Sequence, residues 1–526
     1  MNFGPLIHRW EGRKSSWYVE AEGFTAGGFW VASKGFCTSE HTSTHIDAPY
    51  HFHKEGRKLH EIPLEDMIDI PGVMIDIYDK VHKFKDGKLN VIENYALTQD
   101  DVLEWEEKNG KIPQGAIVLL RTGWESRWGD LKQYRGEKDL GTTAAPTNNE
   151  TGDDDKTIPL DVNLNFPSFD VSSARYLAVE RQVLGVGVDA LSIDPGNTKT
   201  FPSHRLFASR NIYMLEMVAN LHTLPPKGFN LWVVPFKIDF GTGAPTRILA
   251  RLNNCALLLM LAGSFISVVD ARARFQNNAG AGAAGAGTRF IDLSHAFNNE
   301  TAVWPGRKIT FFNEFGGRDE NGIWVVSNGF CTSEHTSTHI DAPYHFNENG
   351  RRLNEIPWEE KNGKIPQGAV VLLRTGWESR WGNEKLFRGE KEGDATVVPA
   401  ADSIENNELE PIGTGKSTQF YDPDVAASFA GKLSFPGFGV TAAKFLAEER
   451  SVRGVGVDVI SIDPGNKNNF SPAHVTFASR NIYMLEMVAS LYTLPPRGFN
   501  LWLVPFKIDR GTGAPTRVIA RLNEER

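Results

Sequence analysis

Two stretches of the chain carry metal-ligand residue types at spacings that could serve one ion. His41, His45, Asp47 and His51 fall within eleven positions, inside residues 35–52. The same eighteen letters return as residues 329–346, where His335, His339, Asp341 and His345 hold the corresponding places. Imidazole nitrogen and carboxylate oxygen together suit zinc, manganese or iron. All four positions in each copy are odd, so in an extended chain with period 2 they project from one face. A helix would also join His41 to His45, but Thr, Ile and Pro49 favour a strand followed by a turn. A polar loop with structural histidines is the plain reading of one such residue; four ligand types converging twice argue for a metal. Farther on, Glu216 follows His204 and Glu486 follows His474 at one interval (216 − 204 = 486 − 474 = 12). Alone, that carboxylate could simply pair with an arginine.

The repeat sets the organisation. Residues 1–253 form a first unit, 254–287 a junction and 288–526 a second unit. Further shared blocks are 106–116 with 359–369, 121–129 with 374–382, 208–219 with 478–489, and 241–247 with 511–517. Identity this dense implies duplication and a common fold. Residues 116–121 and 184–189 are short apolar runs closed by turns, as in buried strands. Residues 171–181 and 441–450 carry apolar residues at helical spacing. Residues 231–238 read as another strand, in which Pro235 suggests an edge or a bulge. Asp194-Pro-Gly196 and Asp463-Pro-Gly465 are turns, and the polar, divergent residues 139–165 and 391–420 are surface loops.

The copies differ in completeness. The second opens on Asp292-Leu-Ser-His295 and Trp304-Pro-Gly306, for which residues 1–28 offer no counterpart in this reading. Conversely, Glu355-Ile-Pro357 runs straight into Trp358, so residues 64–104, with an apparent core strand at 72–78, have no partner in the second unit. Each unit lacks a piece, and both stand to be impaired.

Bulk properties narrow the class. A formal net charge of −9 and the lack of a basic stripe argue against nucleic-acid binding. Of three cysteines, Cys37 and Cys331 are one position in two copies and Cys255 stands alone, so no disulfide framework is implied. The opening residues lack a signal-peptide core, which reads as cytoplasmic. The apolar run 255–269, followed by Asp-Ala-Arg-Ala, is too short to span a bilayer. It resembles a secretory signal placed mid-chain, as if a second, secreted gene had been joined here, or else a buried linker helix. Residues 279–287 are a Gly/Ala linker. Gly413-Thr-Gly-Lys-Ser417 lacks the first glycine of a phosphate loop, and no Gly-x-Ser-x-Gly occurs. Asn149, Asn299 and Asn469 begin glycosylation sequons, relevant to a secreted chain.

His41-Thr-Ser-Thr-His45-Ile-Asp47-Ala-Pro49-Tyr-His51 resembles the His-x-Gly-Thr-His-x-Asp-x-Pro-x-His signature of the cyclase-like metal hydrolases. That family includes bacterial-type kynurenine formamidase and isatin hydrolase. The resemblance extends to the Asp292–His295 and Trp304–Gly306 opening, the His/Glu pair, and Gly-Ala-Pro-Thr-Arg ending at Arg247 and Arg517; Ser43 and Ser337 depart from it where the family has glycine. It implies an α/β fold of swivelling β/β/α type in two tandem copies, packed as an internal pseudo-dimer. It further implies that His41, His45 and Asp47 hold one divalent ion, Zn or Mn, and that Asp47, His204 and Glu216 hold a second where the site is dinuclear. His51 would be the base or proton shuttle. The second-unit set is His335, His339, Asp341, His474 and Glu486, with His345 as base. The expected reaction is hydrolysis of N-formylkynurenine or a related aryl amide by metal-activated water, without a covalent enzyme intermediate. Histidine suits the proton transfers. The expected partner is a small aromatic amide, with Trp30, Trp304 and Trp324 near the pocket, and neither nucleic acid nor membrane. Rival readings are a cyclic-amide (isatin-type) hydrolase and a catalytically impaired binding or structural protein.

Overall fold

In a computed structural model, thirteen strands in the first repeat are laid down where short apolar runs alternate with turns. They are β1 (Ser16–Phe24), β2 (Trp30–Ser39), β3 (His45–Asp47), β4 (Ile70–Asp76), β5 (His82–Lys85), β6 (Lys88–Val91), β7 (Ala96–Leu97), β8 (Ile117–Arg121), β9 (Ser168–Phe169), β10 (Gly185–Val188), β11 (Tyr213–Glu216), β12 (Lys227–Pro235) and β13 (Gly243–Leu252). The structure describes residues 16–25, 28, 30–85, 88–137, 164–253, 290–319, 322–356, 368–390, 432–465 and 471–522. The apolar junction, the linker, residues 413–417, Asn149, Asn469 and almost all of the loops 139–165 and 391–420 lie outside them.

Seven strands close a barrel in the order β10-β11-β3-β13-β12-β4-β8, with β8 returning to β10. β4, β8, β10 and β11 run parallel, and β3, β12 and β13 join them through antiparallel pairs. Buried on both faces, β8 and β10 are continuous apolar runs rather than alternating ones. β12 is flanked on both sides, so it is not an edge strand. Pro235 is tolerated because β4 reaches only to Leu231, leaving the proline position a neighbour on β13 alone. Helices pack outside. Gln99–Asn109 starts at a Thr98/Asp101 capping box. Val171–Arg175 continues into a π-helical turn at Tyr176–Glu180, and Val440–Lys444 with Phe445–Glu449 repeats this. Both occupy the expected helical stretches.

The second repeat supplies β14 (Phe290–Asp292), β15 (Thr310–Arg318), β16 (Trp324–Ser333), β17 (His339–Asp341), β18 (Val370–Leu373), β19 (Gly454–Val457), β20 (Tyr483–Glu486), β21 (Phe499–Pro505) and β22 (Gly513–Leu522). Their order is β14-β22-β17-β20-β19-β18, with β21 paired to β22 alone, so among the described residues this sheet stays open. Among the described residues no counterpart of β4, the strand within residues 64–104, is present.

The repeats meet through a four-stranded sheet, β1-β2-β16-β15. In it β2 and β16 run antiparallel with Cys37 opposite Cys331, and those two sulfurs form a disulfide. This corrects the expectation of no disulfide: equivalent positions in two copies become partners when a pseudo-twofold axis passes between them. One core cluster also spans the repeats, with Phe36 and Phe330 both buried and 6.0 Å apart. Burying one such ring stabilises by about 1.5–3 kcal/mol.

Register corrects a second expectation. Ser16 faces Cys37 as Thr310 faces Cys331, an offset of 294 residues (310 − 16 = 331 − 37 = 294). Carried back along the sequence, it sets Trp10-Glu-Gly-Arg-Lys14 against Trp304-Pro-Gly-Arg-Lys308. Residues 10–14 therefore do hold a counterpart to Trp304–Lys308, hidden by the Pro-to-Glu change, while this register gives none within residues 1–28 to Asp292-Leu-Ser294.

Candidate metal centre

β3 is three residues long, bounded by a bend at residues 40–44 and a turn at Pro49, and it lies between two strands: Asp47 between Met214 and Gly243, His45 between Glu216 and Pro245. Period 2 puts His45 and Asp47 on one face, as expected. His41 and His51 arrive differently. Residues 40–44 bend, with Ser43 at φ 59° and Ser337 at φ 56°, and Pro49–His51 is a single 3₁₀ turn. One extended run carrying all four residues is therefore corrected to a bend, a short strand and a turn. The left-handed serine sits where the family signature has glycine, the residue that adopts that conformation without strain.

Five side chains converge. His41 Nδ1 is 2.7 Å from Asp47 Oδ1, and His45 Nε2 is 3.2 Å from the same oxygen and 3.3 Å from Glu216 Oε2. His204 Nε2 lies 3.0 Å from Glu216 Oε1 and 3.6 Å from Asp47 Oδ2. Two triads result, His41/His45/Asp47 and Asp47/His204/Glu216, all buried and sharing Asp47. The second repeat reproduces both, as His335/His339/Asp341 and Asp341/His474/Glu486. Each sequence-predicted ligand thus lies in a cluster.

Outer hydrogen bonds fix which nitrogen faces inward. Thr242 Oγ1 donates to Glu40, so it accepts from His41 Nε2–H at 2.8 Å and leaves Nδ1 as the lone pair. His45 Nδ1–H donates to Ser43 O at 2.8 Å, and His204 Nδ1–H to Asp194 Oδ2 at 2.6 Å. Asp194 also accepts from the Ser203 and His204 backbone N–H groups at the start of helix Pro202–Ser209. These partners are of the kind that orient metal-binding imidazoles. Sequence reasoning passed over Glu40, Thr242 and Asp194, reading the last only as a turn. Their copies Glu334, Thr512 and Asp463 make the same contacts. That repetition in both copies was the available signal.

Burial pushes the Glu40 carboxyl up to about 7, although Thr242 bonds to it. Burial opposes charge on Asp47 too, yet His41, His51 and His204 around it hold its carboxyl well below the usual range. Burial works against a charged His45, but Asp47 and Glu216 raise it to about 9.

The donor set fits a divalent ion. His45 Nε2 and His339 Nε2 are buried without a hydrogen-bond partner, and each points its lone pair among carboxylate oxygens. A lone pair facing acceptors is repulsive unless a cation or a proton lies between. Mixed imidazole and carboxylate ligands match zinc or manganese.

His51 stacks on His41 with ring centroids 3.9 Å apart, and His345 stacks on His335 at the same distance. Each is held by the other repeat: His51 Nδ1 bonds to Val326 O, and His345 Nδ1 to Ala32 O at 2.5 Å. Trp324 Nε1 donates to Tyr50 O and Trp30 Nε1 to Tyr344 O, both at 3.1 Å. Trp304 packs against the second unit's outer core instead.

The putative cyclase family model matches residues 5–195, 291–360 and 356–464, more than half of the chain and on both copies. The chain belongs to the putative cyclase family. Within the cyclase family it is 27% identical over 234 residues to the kynurenine formamidase of Bacillus anthracis, covering 44% of this chain and 98% of that one. It is 28% identical over 215 residues to the isatin hydrolase of Roseibium aggregatum, covering 40% and 71%. A solved isatin hydrolase A from Labrenzia aggregata, bound to benzyl benzoate, aligns over 46% of this chain and 84% of its own at 28% identity, with a TM-score of 0.37.

Proposed function

We propose that the chain is a metal-dependent amide hydrolase with one centre per repeat, acting on N-formylkynurenine or a related aryl formamide. The observation that carries this reading is a fully buried His/carboxylate cluster with a further histidine stacked on one ligand, present twice. His41, His45 and Asp47 would hold one divalent ion, and Asp47, His204 and Glu216 a second where two bind. Such an ion lowers the pKa of water and polarises a carbonyl. The chain's own residues do the rest. Thr242, Ser43 O and Asp194 hold the three ligand imidazoles in the required tautomers. His51, its Nδ1–H committed to Val326 O, offers Nε2 to take the proton from water and return it to the departing nitrogen. Burial, and then the neighbouring His335, hold His345 well below the ordinary histidine range, so it starts as a neutral base.

Two finer points belong to the same reading. The units are 1–253 and 288–526, each a swivelling β/β/α domain packed as an internal pseudo-dimer; crossed pairing of β2 with β16 supports this. The aromatic residues Tyr50 with Trp324, and Tyr344 with Trp30, at 5.9 and 5.7 Å between rings, suit an aryl substrate. They suit a cyclic amide of isatin type equally, which is the second reading. Hydrolysis of N-formylkynurenine and of isatin by the intact chain, before and after chelation, tests both. Chelator-sensitive opening of isatin alone would move the assignment to the second, and metal-free protein inert toward both would favour a binding role.

A further inference from the structure

The helix that carries His204 begins differently from the helix that carries His474. From Asp194 to His204 is ten residues, and from Asp463 to His474 eleven (204 − 194 = 10; 474 − 463 = 11). The aspartate still reaches the imidazole Nδ1 at 2.6 Å in both repeats. In the second repeat the residue before Pro472 is Ser471, at an ordinary φ of −112°. In the first repeat the residue before Pro202 is Phe201, at φ 45°, in the left-handed region that bulky side chains avoid. Seating the ligand imidazole therefore does not require a left-handed residue at this point. Strain of this kind gathers where a side chain must be aimed, and here it aims a phenyl ring.

The Phe201 ring lies 5.3 Å from that of Phe52 and 5.9 Å from that of His204. Phe52 in turn lies 4.4 Å from His204 and 4.6 Å from His51. The two phenyl rings thus lie beside both a ligand of the cluster and the histidine assigned as its base. His51, Phe52 and His204 are buried, whereas Phe201 is half-buried and keeps surface that an incoming molecule can touch. A carbonyl held for attack at the cluster within reach of His51 brings its substituent next to these rings. An aryl substituent gains offset or edge-to-face stacking there in addition to burial. An alkyl substituent gains burial alone.

We infer that Phe201 sets the first site's preference for an aromatic amide, its ring and that of Phe52 forming the wall on which the substrate's aryl group lies. This rests on the amide-hydrolase reading above. Phe201 holds no ion and moves no proton, so its loss acts on the choice of substrate and not on metal loading.

The test uses the full chain carrying His345→Gln, so that the rate measured is the first site's. kcat and KM for formanilide and for N-methylformamide are compared with Phe201 intact, as Phe201→Leu and as Phe201→Ala. Phe201→Ala should raise KM for formanilide roughly tenfold or more, and lower its kcat/KM relative to N-methylformamide by a similar factor. Phe201→Leu, which keeps apolar bulk without the ring, should fall between. Metal content by elemental analysis should match that of the parent. An unchanged KM for formanilide, an equal fall in kcat/KM for both amides, or a loss of metal would each overturn the inference, the last by making Phe201 a support for His204. A parent chain that hydrolyses neither amide overturns the hydrolase reading and this inference with it. Variants that hydrolyse formanilide with the parental KM overturn this inference alone.

Discussion

The two repeats hold nearly the same His/carboxylate cluster on differently completed scaffolds. His41–Asp47 is 2.7 Å and His335–Asp341 2.6 Å; His204–Glu216 and His474–Glu486 are both 3.0 Å; His45–Glu216 is 3.3 Å and His339–Glu486 3.4 Å. Yet among the described residues one barrel is closed and the other sheet open. His45, Asp47 and Glu216 ride on β3 and β11, His41 on the bend before β3 and His204 on helix Pro202–Ser209, with Thr242 just before β13, and those strands have full counterparts in β17, β20 and β22. β4 sits between β12 and β8, away from them in the barrel order. A barrel can therefore lose the strand opposite its site and forfeit stability while the site keeps its geometry. Impairment of both units, expected from their missing pieces, is a matter of stability before it is one of ligand placement.

The largest effect that could break this equivalence is on catalysis. His51→Gln with His345→Gln should lower kcat by about 10²–10⁴-fold while metal content stays unchanged. The single variants sharpen the comparison: two working units each lose part of the rate, whereas one working unit makes one variant silent. Next comes stability. Covering β8 with β4 buries several side chains worth about 1.5–3 kcal/mol each, so amide exchange should open the second unit well before the first. Inserting residues 64–104 after Pro357 should narrow that difference; equal exchange in the native chain would count against an open second sheet.

A smaller effect concerns pH. The folded pKa of His45 is raised from 6.5 to about 9, because Asp47 and Glu216 outweigh burial, and His339 shifts the same way. In chelated protein this charge contributes stability that is full below pH 6.5 and lost as pH rises through about 9. The unfolding midpoint of chelated chain should fall across that window. Metal-loaded chain should not follow it, since the ion replaces the proton. Smallest of all, Ser43→Gly and Ser337→Gly should leave metal content intact and change stability by about 1 kcal/mol or less, relief of the left-handed conformation offsetting lost chain stiffness. Loss of metal there would show that the serine side chain matters.

Much of this was legible in the residues. The ligands announced themselves because histidine and aspartate at close spacing, written twice, seldom gather for any purpose but to hold a cation. His204 and Glu216 were reachable because His474 and Glu486 repeat their interval and the family resemblance takes in that pair. The absent strand could be read from the missing partner of residues 64–104. Other features were not legible, for physical reasons. Thr242 and Asp194 are residue types that any turn uses, and only the fold brings them to an imidazole. An alternating strand pattern does not name its neighbour, so the pairing of β2 with β16, the Cys37–Cys331 bond and the hold of each repeat on the other's His51 or His345 were out of reach. Trp10 was missed because the glutamate after it obscured the likeness to Trp304-Pro-Gly306.

Metal content by elemental analysis of the intact chain, of Asp47→Ala, of Asp341→Ala and of the double variant tests the central claim most directly. Each aspartate serves both triads of its own repeat, so each single variant should lose its own repeat's metal and keep the other's, and the double variant should bind none. Full metal content in the double variant would contradict the assignment of these clusters as the metal centres.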